Sequence, residues 1–221
     1  MKKILLLLAD GFEAVEASVF TDVLGWNKWE GDGSTEVITA GLRDKLTCTW
    51  NFTVIPEKTV DNIQLDEFDA LAIPGGFEEA GFYRDAFSKE FLHVIQHFHV
   101  KQKPIASICV ASLALGKSGI LIDKKATTYS HPTSKRKEQL KNFGAKVQND
   151  LIVQDGNIIT SSNPGTAFDV AFLLLEKLTS KQNAKHVKNL ELVRIISLLN
   201  HRCPPRNSLI PRSFLNFLHV A

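Results

Sequence analysis

Cysteine is scarce in this chain: 221 residues hold three, Cys48, Cys109 and Cys203, and none are in CxxC spacing. So sparse and odd a set suits neither a disulfide framework nor a structural zinc site, and points to a reducing compartment, expected to be the cytoplasm. Long apolar runs are missing as well. Met1 to Ala9 imitates a signal peptide, but Asp10 ends the run early and Gly11-Phe12-Glu13 is no convincing cleavage site, so the segment reads as a buried strand. No stretch approaches about 20 apolar residues, so no transmembrane helix and no membrane partner are expected. A dense basic cluster is also lacking. Residues 181–221 carry seven Lys/Arg against Glu191 alone, +6 of a net +2, which leaves −4 for the first 180. These charges stand singly among apolar residues, without the aromatic interleaving of a nucleic-acid surface. No internal repeat is visible.

What is present is a hydrophobic share of 44%, enough to bury one full core. Short apolar runs alternate with helical patterns, the mark of an α/β fold. Strands are expected at Lys3–Ala9, Glu36–Ala40, Phe68–Ile73, Pro104–Ile108 and Lys125–Tyr129. Helices are expected at Ala14–Trp29, Glu78–Tyr83, Lys89–Lys101, Val110–Gly116, Ser134–Phe143, Thr166–Leu178 and Ala184–Leu199. Leu151–Val153 and Asn157–Thr160 read as a hairpin turning at Asp155-Gly156. The chain thus divides into a domain over 1–180 and, over 181–221, a C-terminal helix with a poorly ordered basic tail broken at Cys203-Pro204-Pro205.

Cys109 stands where a strand turns into a helix, with small residues two positions away on each side, Ser107 and Ala111. A nucleophile elbow needs small neighbours there because strand and helix backbones approach closely. A helix N-terminus beside the sulfur favours thiolate. An ordinary thiol is only about 3% ionised at pH 7, and a depression of roughly three units makes it almost wholly reactive. The plainer reading is a small buried hydrophobe at a strand end. Glu13 and Glu16 open the first helix, where carboxylates act as caps; one of them beside a thiolate would instead hold its proton and donate to sulfur. Gly75 and Gly76 form either a plain turn or, with the Val110 N–H, an oxyanion hole. In open parallel sheets ligands bind outside the carboxyl ends of the strands, and three of these loops, Asp10–Glu16, Gly75-Gly76 and Cys109, lie at such ends.

Asp10-Gly11-Phe12-Glu13-Ala14-Val15-Glu16, Pro74-Gly75-Gly76, Ala106-Ser107-Ile108-Cys109-Val110-Ala111, Ala126-Thr127-Thr128 and Pro164-Gly165-Thr166 occur in the order seen in the DJ-1/PfpI superfamily, which the chain resembles over roughly residues 1–180. The resemblance implies a flavodoxin-like three-layer αβα sandwich with a mostly parallel sheet, usually a homodimer. It gives the nucleophile as an oxidation-prone Cys109, the acid as Glu16 and the glycine pair as Gly75 and Gly76. Protease-like members carry His after the nucleophile; Val110 stands there, which argues against a Cys-His dyad and a PfpI-like hydrolase. Glutamine amidotransferases need a His-x-Glu that this chain lacks. DJ-1-like members often carry His after the Thr pair. Here it comes two positions late, as His131, the candidate acid/base, with Tyr129 as the alternative. An Arg frequent after the hairpin is replaced by Ser162-Asn163.

Weaker strings remain. Ala111 to Ser118 approaches a phosphate-loop pattern but lacks its first Gly and falls in a helix. His93, His97 and His99 offer an i,i+4 pair without a catalytic Glu, so no metal is expected. Cys48 reads as structural. The expected function is therefore a cofactor-free cysteine enzyme acting on small reactive carbonyls or glycated adducts, of the glyoxalase III or deglycase kind. A redox-responsive stress or chaperone-like protein without turnover is the alternative.

Overall fold

An unbroken apolar run cannot sit half-exposed, because an alternating strand needs a polar face. In the computed structural model, which describes residues 1–191, the N-terminal run becomes β1 (Lys2–Leu8), with Ile4 to Leu8 buried. The chain continues through α1 (Ala14–Glu30) to β2 (Thr35–Gly41), parallel to β1 with Ile4 opposite Val37. A small ladder of β3 (Leu46–Thr47) and β4 (Thr53–Val54) precedes β5 (Lys58–Thr59), which extends the sheet beyond β2. The chain then crosses to the other side of β1, where β6 (Ala70–Ile73) pairs in parallel with it. Helices α2 (Phe82–Ala86) and α3 (Lys89–Val100) lead to β7 (Ile105–Ser107), parallel to β6. After α4 (Ser112–Lys117), the strands β8 (Lys125–Ala126) and β9 (Lys146–Val147) bracket α5 (Arg136–Asn142). The hairpin β10 (Ile152–Asp155) and β11 (Ile158–Ser161) completes the sheet before α6 (Ala167–Leu178) and α7 (Lys181–Glu191).

The strand order is β10-β11-β7-β6-β1-β2-β5, parallel except at the β10-β11 hairpin. Helices α1, α6 and α7 pack on one another, while α3 joins α2 and α4, and α4 joins α5. This is the expected three-layer α/β sandwich. The helices form for local reasons. In α3 the Ser88 hydroxyl accepts from the Phe91 N–H at 3.2 Å, and Phe91, Val94, Ile95 and Phe98 make one buried stripe at helical spacing. Each such side chain removed from water contributes about 1.5–3 kcal/mol.

Several expectations change. The hairpin turns at Gly156-Asn157, because Asp155 pairs with Ile158 and Gly156 takes the left-handed φ of +61°. Helix α2 starts at Phe82 rather than Glu78. Glu78 to Gly81 form a turn in which the Gly81 N–H donates to the Glu78 carbonyl, and Gly81, at φ +90°, caps the helix. The strand expected over Lys125–Tyr129 shortens to Lys125–Ala126, and Thr128 turns inward to another task. The last expected helix starts at Lys181; its residues after Glu191, Cys203 and the basic tail lie outside the described residues. Among the described residues no helix is long and apolar enough to cross a membrane.

Candidate active site

The strands flanking β1 are reached by connections leaving in opposite directions, and a crevice opens at the carboxyl ends of β1 and β6. The two loops there are stitched together. The Glu13 N–H donates to the Gly75 carbonyl at 2.7 Å, and the Phe77 N–H to the Gly11 carbonyl at 3.2 Å. Glycine at position 76 is a packing requirement, because a Cβ would collide with the Gly11 carbonyl and the Phe82 ring. The loop is anchored from outside by Asp85, which accepts from the Asp10 N–H at 2.9 Å and takes both arms of Arg43 at 2.7 and 2.8 Å.

Cys109 follows β7 with φ +57°, left-handed for a residue that carries a Cβ. Strain of this kind costs of order 1–3 kcal/mol and persists only where its surroundings hold it. Thr128 does so by donating its hydroxyl to the Cys109 carbonyl at 3.0 Å, and Ser112 adds a longer contact at 3.4 Å. The small Ser107 fits by placing its hydroxyl 3.3 Å from that of Ser112. The geometry is the expected elbow.

Glu16 is fully buried in the first turn of α1. It does not cap that helix: its Oε2 accepts from the Gly75 N–H at 2.5 Å, across from the neighbouring loop, and its Oε1 has no hydrogen-bond partner. Burial raises its pKa to about 8, with the Glu13 charge adding to the rise and the Gly75 and Cys109 hydrogen bonds opposing it. At neutral pH the carboxyl is therefore mostly protonated, as expected. A Cβ on Gly75 would lie 3.0 Å from both Glu16 Oε2 and Cys109 Cβ, so glycine is what lets acid and nucleophile share one space.

The thiol departs from expectation. Cys109 is only 7% exposed. Burial first, then the charge of Glu16, push its pKa above the ordinary thiol range, against the Val110 N–H. Cys109–Ala111 is a 3-10 turn that runs directly into α4 at Ser112, so the sulfur does stand at a helix N-terminus, and burial is the largest cause of the rise. Acid and thiol are coupled: the Glu16 charge is one cause of the raised thiol pKa, and the Cys109 hydrogen bond opposes the rise at Glu16.

A cavity of about 190 Å³ opens above the sulfur, lined by Cys109, Val110, Gly76, Phe77, Glu78, Glu79, Tyr129, Ser134 and Arg136. The structure gathers Cys109, Glu16, Gly75, Gly76 and Val110. It does not bring His131 to them: that ring is exposed, with Nδ1 2.9 Å from the Thr133 hydroxyl, and Tyr129 lines the cavity instead. The Gly75 N–H is committed to Glu16, which leaves the Gly76 and Val110 N–H groups as candidates for an oxyanion hole. Sequence reasoning missed Arg136 and the supporting hydroxyl of Thr128. The Thr127-Thr128 pair was the available signal for the second. Cys48 is a buried free thiol, and His97 pairs with Asp66 at 3.2 Å. Among the described residues no three metal-ligating side chains gather.

A strained cysteine elbow over a buried acid, on a parallel sheet with a topological switch, defines the class of α/β proteins with an elbow thiol. The chain belongs to the DJ-1/PfpI family, whose family model matches residues 2–177. It is 35% identical over 189 residues to Protein DJ-1alpha of Drosophila melanogaster, covering 84% of this chain and 82% of that one. To Deglycase TK1284 of Thermococcus kodakarensis it is 30% identical over 166 residues, 75% of this chain and 93% of the relative. The crystal structure of Drosophila melanogaster DJ-1beta superposes with a TM-score of 0.76 at 29% identity, covering 86% of this chain and 97% of that one.

Proposed function

We propose that this chain is a cofactor-independent cysteine enzyme acting on small reactive carbonyls, of the glyoxalase III or deglycase kind. The observation that carries the reading is the buried Glu16–Cys109 pair, with an acid of pKa about 8, beneath a cavity of about 190 Å³. So small a space suits a substrate of a few heavy atoms rather than a peptide, since sites for drug-sized ligands run to about 300–1,000 Å³. The relative named a deglycase supports the same class.

The chemistry follows from the pair. Sulfur adds to the aldehyde carbon of a 2-oxoaldehyde, and the thiol proton passes through Glu16 to the carbonyl oxygen, giving a hemithioacetal. The Gly76 and Val110 N–H groups hold the oxygen while it is negative. Glu16, whose pKa lies near working pH, then moves the carbon-bound proton of the former aldehyde to the neighbouring ketone carbon, with Tyr129 beside it. One carbon is oxidised and its neighbour reduced, so no external oxidant is needed. Water cleaves the resulting thioester and releases a 2-hydroxy acid, lactate from methylglyoxal. The test is lactate formation from methylglyoxal: Cys109→Ala, shown folded by circular dichroism, should lose it, and equal activity in that variant would sink the reading.

One observation favours a second reading, redox sensing without turnover. The Glu16 Oε1 lacks a partner, and its protonated form would donate to an oxygen on an oxidised Cys109. Mass spectrometry after mild peroxide should then show two oxygens gained at Cys109 in a protein with negligible carbonyl turnover. We also assign the chain to a reducing compartment and to a homodimer. Trp50 at 68%, Phe52 at 64% and Ile55 at 78% exposure along one hairpin region support a covered apolar surface.

A further inference from the structure

The rim of the Cys109 cavity holds one guanidinium, Arg136, and its setting is unlike that of an ordinary surface ion pair. The side chain is only 20% exposed. Its Nη1 donates to Gln139 Oε1 at 2.9 Å, and its charge lies 5.1 Å from the centre of the Tyr83 ring. That ring is in turn stacked on Phe87 at 4.7 Å, and its hydroxyl is buried without a partner. The guanidinium is therefore the fixed half of the pair.

Its anionic partner is the loose half. Glu78 reaches Arg136 Nη2 at 2.6 Å from the turn before α2, yet its side chain is 60% exposed. A carboxylate already sits on the guanidinium, held by one contact from a solvent-exposed turn residue. An exposed partner of this kind is easily replaced, because water compensates it when it leaves. Tyr129 and Ser134 add hydroxyls to the same lining, and the cavity is small enough that one molecule bound to sulfur reaches the rim. Glu79 is the opposing charge. It also lines the neighbouring cleft with Trp50 and Phe77, and its charge would repel an anionic substrate.

We propose that Arg136 is a specificity-determining residue that binds a carboxylate on the substrate, with Glu78 occupying that place until substrate displaces it. The inference rests on the carbonyl reading of Cys109 and names its substrate class: a 2-oxoaldehyde that carries a carboxylate, such as 4,5-dioxopentanoate. The reaction balances as before. Sulfur adds to the aldehyde, the aldehyde carbon is oxidised as the ketone carbon is reduced, and water releases 2-hydroxyglutarate.

The anion site can be read without any turnover. Cys109 is alkylated with iodoacetate and with iodoacetamide, reagents of similar size that differ in charge, and the Cys109 peptide is followed by mass spectrometry. The ratio of the two rates should fall about tenfold in Arg136→Gln, the worth of one hydrogen bond to a charged group. It should rise in Glu78→Gln and in Glu79→Gln. A ratio unmoved in Arg136→Gln and in Glu78→Gln overturns the proposal. So does a loss of both reagents alike in Arg136→Gln together with an unmoved ratio in Glu78→Gln. In a parallel assay, kcat/KM for 4,5-dioxopentanoate relative to methylglyoxal should drop in Arg136→Gln and be partly restored in Arg136→Lys. If the native protein turns over neither compound, the carbonyl reading fails, and the alkylation ratio still decides the anion site.

Discussion

The floor and the rim of the cavity are built differently. The floor, Glu16, Gly75 and Cys109, is buried, comes from the segments that follow three parallel strands at their carboxyl ends, and is fixed by main-chain contacts at 2.5–3.0 Å. The rim, Glu78, Glu79, Tyr129, Ser134 and Arg136, comes from turns and the first residue of a short helix, and the acidic half of its ion pair is largely open to water. The difference teaches a division of labour: the fold fixes where a proton and a nucleophile meet, and the surface connections decide what is admitted to them.

The comparison breaks most easily at Glu16. Glu16→Gln keeps the shape but cannot carry a proton, so turnover of methylglyoxal should fall roughly 10²–10⁴-fold, while His131→Ala at the surface should change it by less than about twofold. A His131→Ala loss matching that of Glu16→Gln would move the chemistry from floor to rim.

Stability offers a second test of the floor. Folded, Glu16 holds its proton up to about pH 8; unfolded, it releases it near 4.5. Between those values the native state binds one proton more, so its contribution is full below about pH 4.5 and is lost as pH rises toward 8. The slope is about 1.4 kcal/mol per pH unit, on the order of 5 kcal/mol across the window. Urea unfolding of Glu16→Gln should lack that slope, and the same decline in both proteins would place its origin elsewhere.

Smaller effects follow at the supports. Gly75→Ala puts a methyl 2.9 Å from the Ile108 carbonyl and 3.0 Å from both reacting side chains. It should destabilise by about 1–3 kcal/mol in chemical denaturation and lower turnover more than it lowers stability. Thr128→Val removes the hydroxyl that holds the Cys109 carbonyl and should cost about 1 kcal/mol, restored in Thr128→Ser. If both Thr128 variants matched the native protein, the elbow would be held by its own turn alone.

The floor was legible in the sequence because its constraints are local. An apolar run too continuous for an exposed strand marks β1, and Ser107 and Ala111 around Cys109 mark the elbow. The rim was not legible, since Arg136 reaches the cavity only through the placement of α5, and His131 lies in a loop whose path no pattern reveals. Two local readings also misled. Asp155-Gly156 looked like the turn dipeptide, but strand pairing placed the turn one residue later. The helix N-terminus suggested a depressed thiol pKa, but burial and the neighbouring Glu16 charge push it up.

The most direct test of the floor is the pH dependence of Cys109 alkylation by iodoacetamide, in the native protein and in Glu16→Gln. Because the Glu16 charge that forms near pH 8 opposes the thiolate, Glu16→Gln should react at lower pH than the native protein, whose buried thiol stays sluggish until well above the ordinary thiol range. The same step in both proteins, or a native thiol already fully reactive at pH 6, would contradict it.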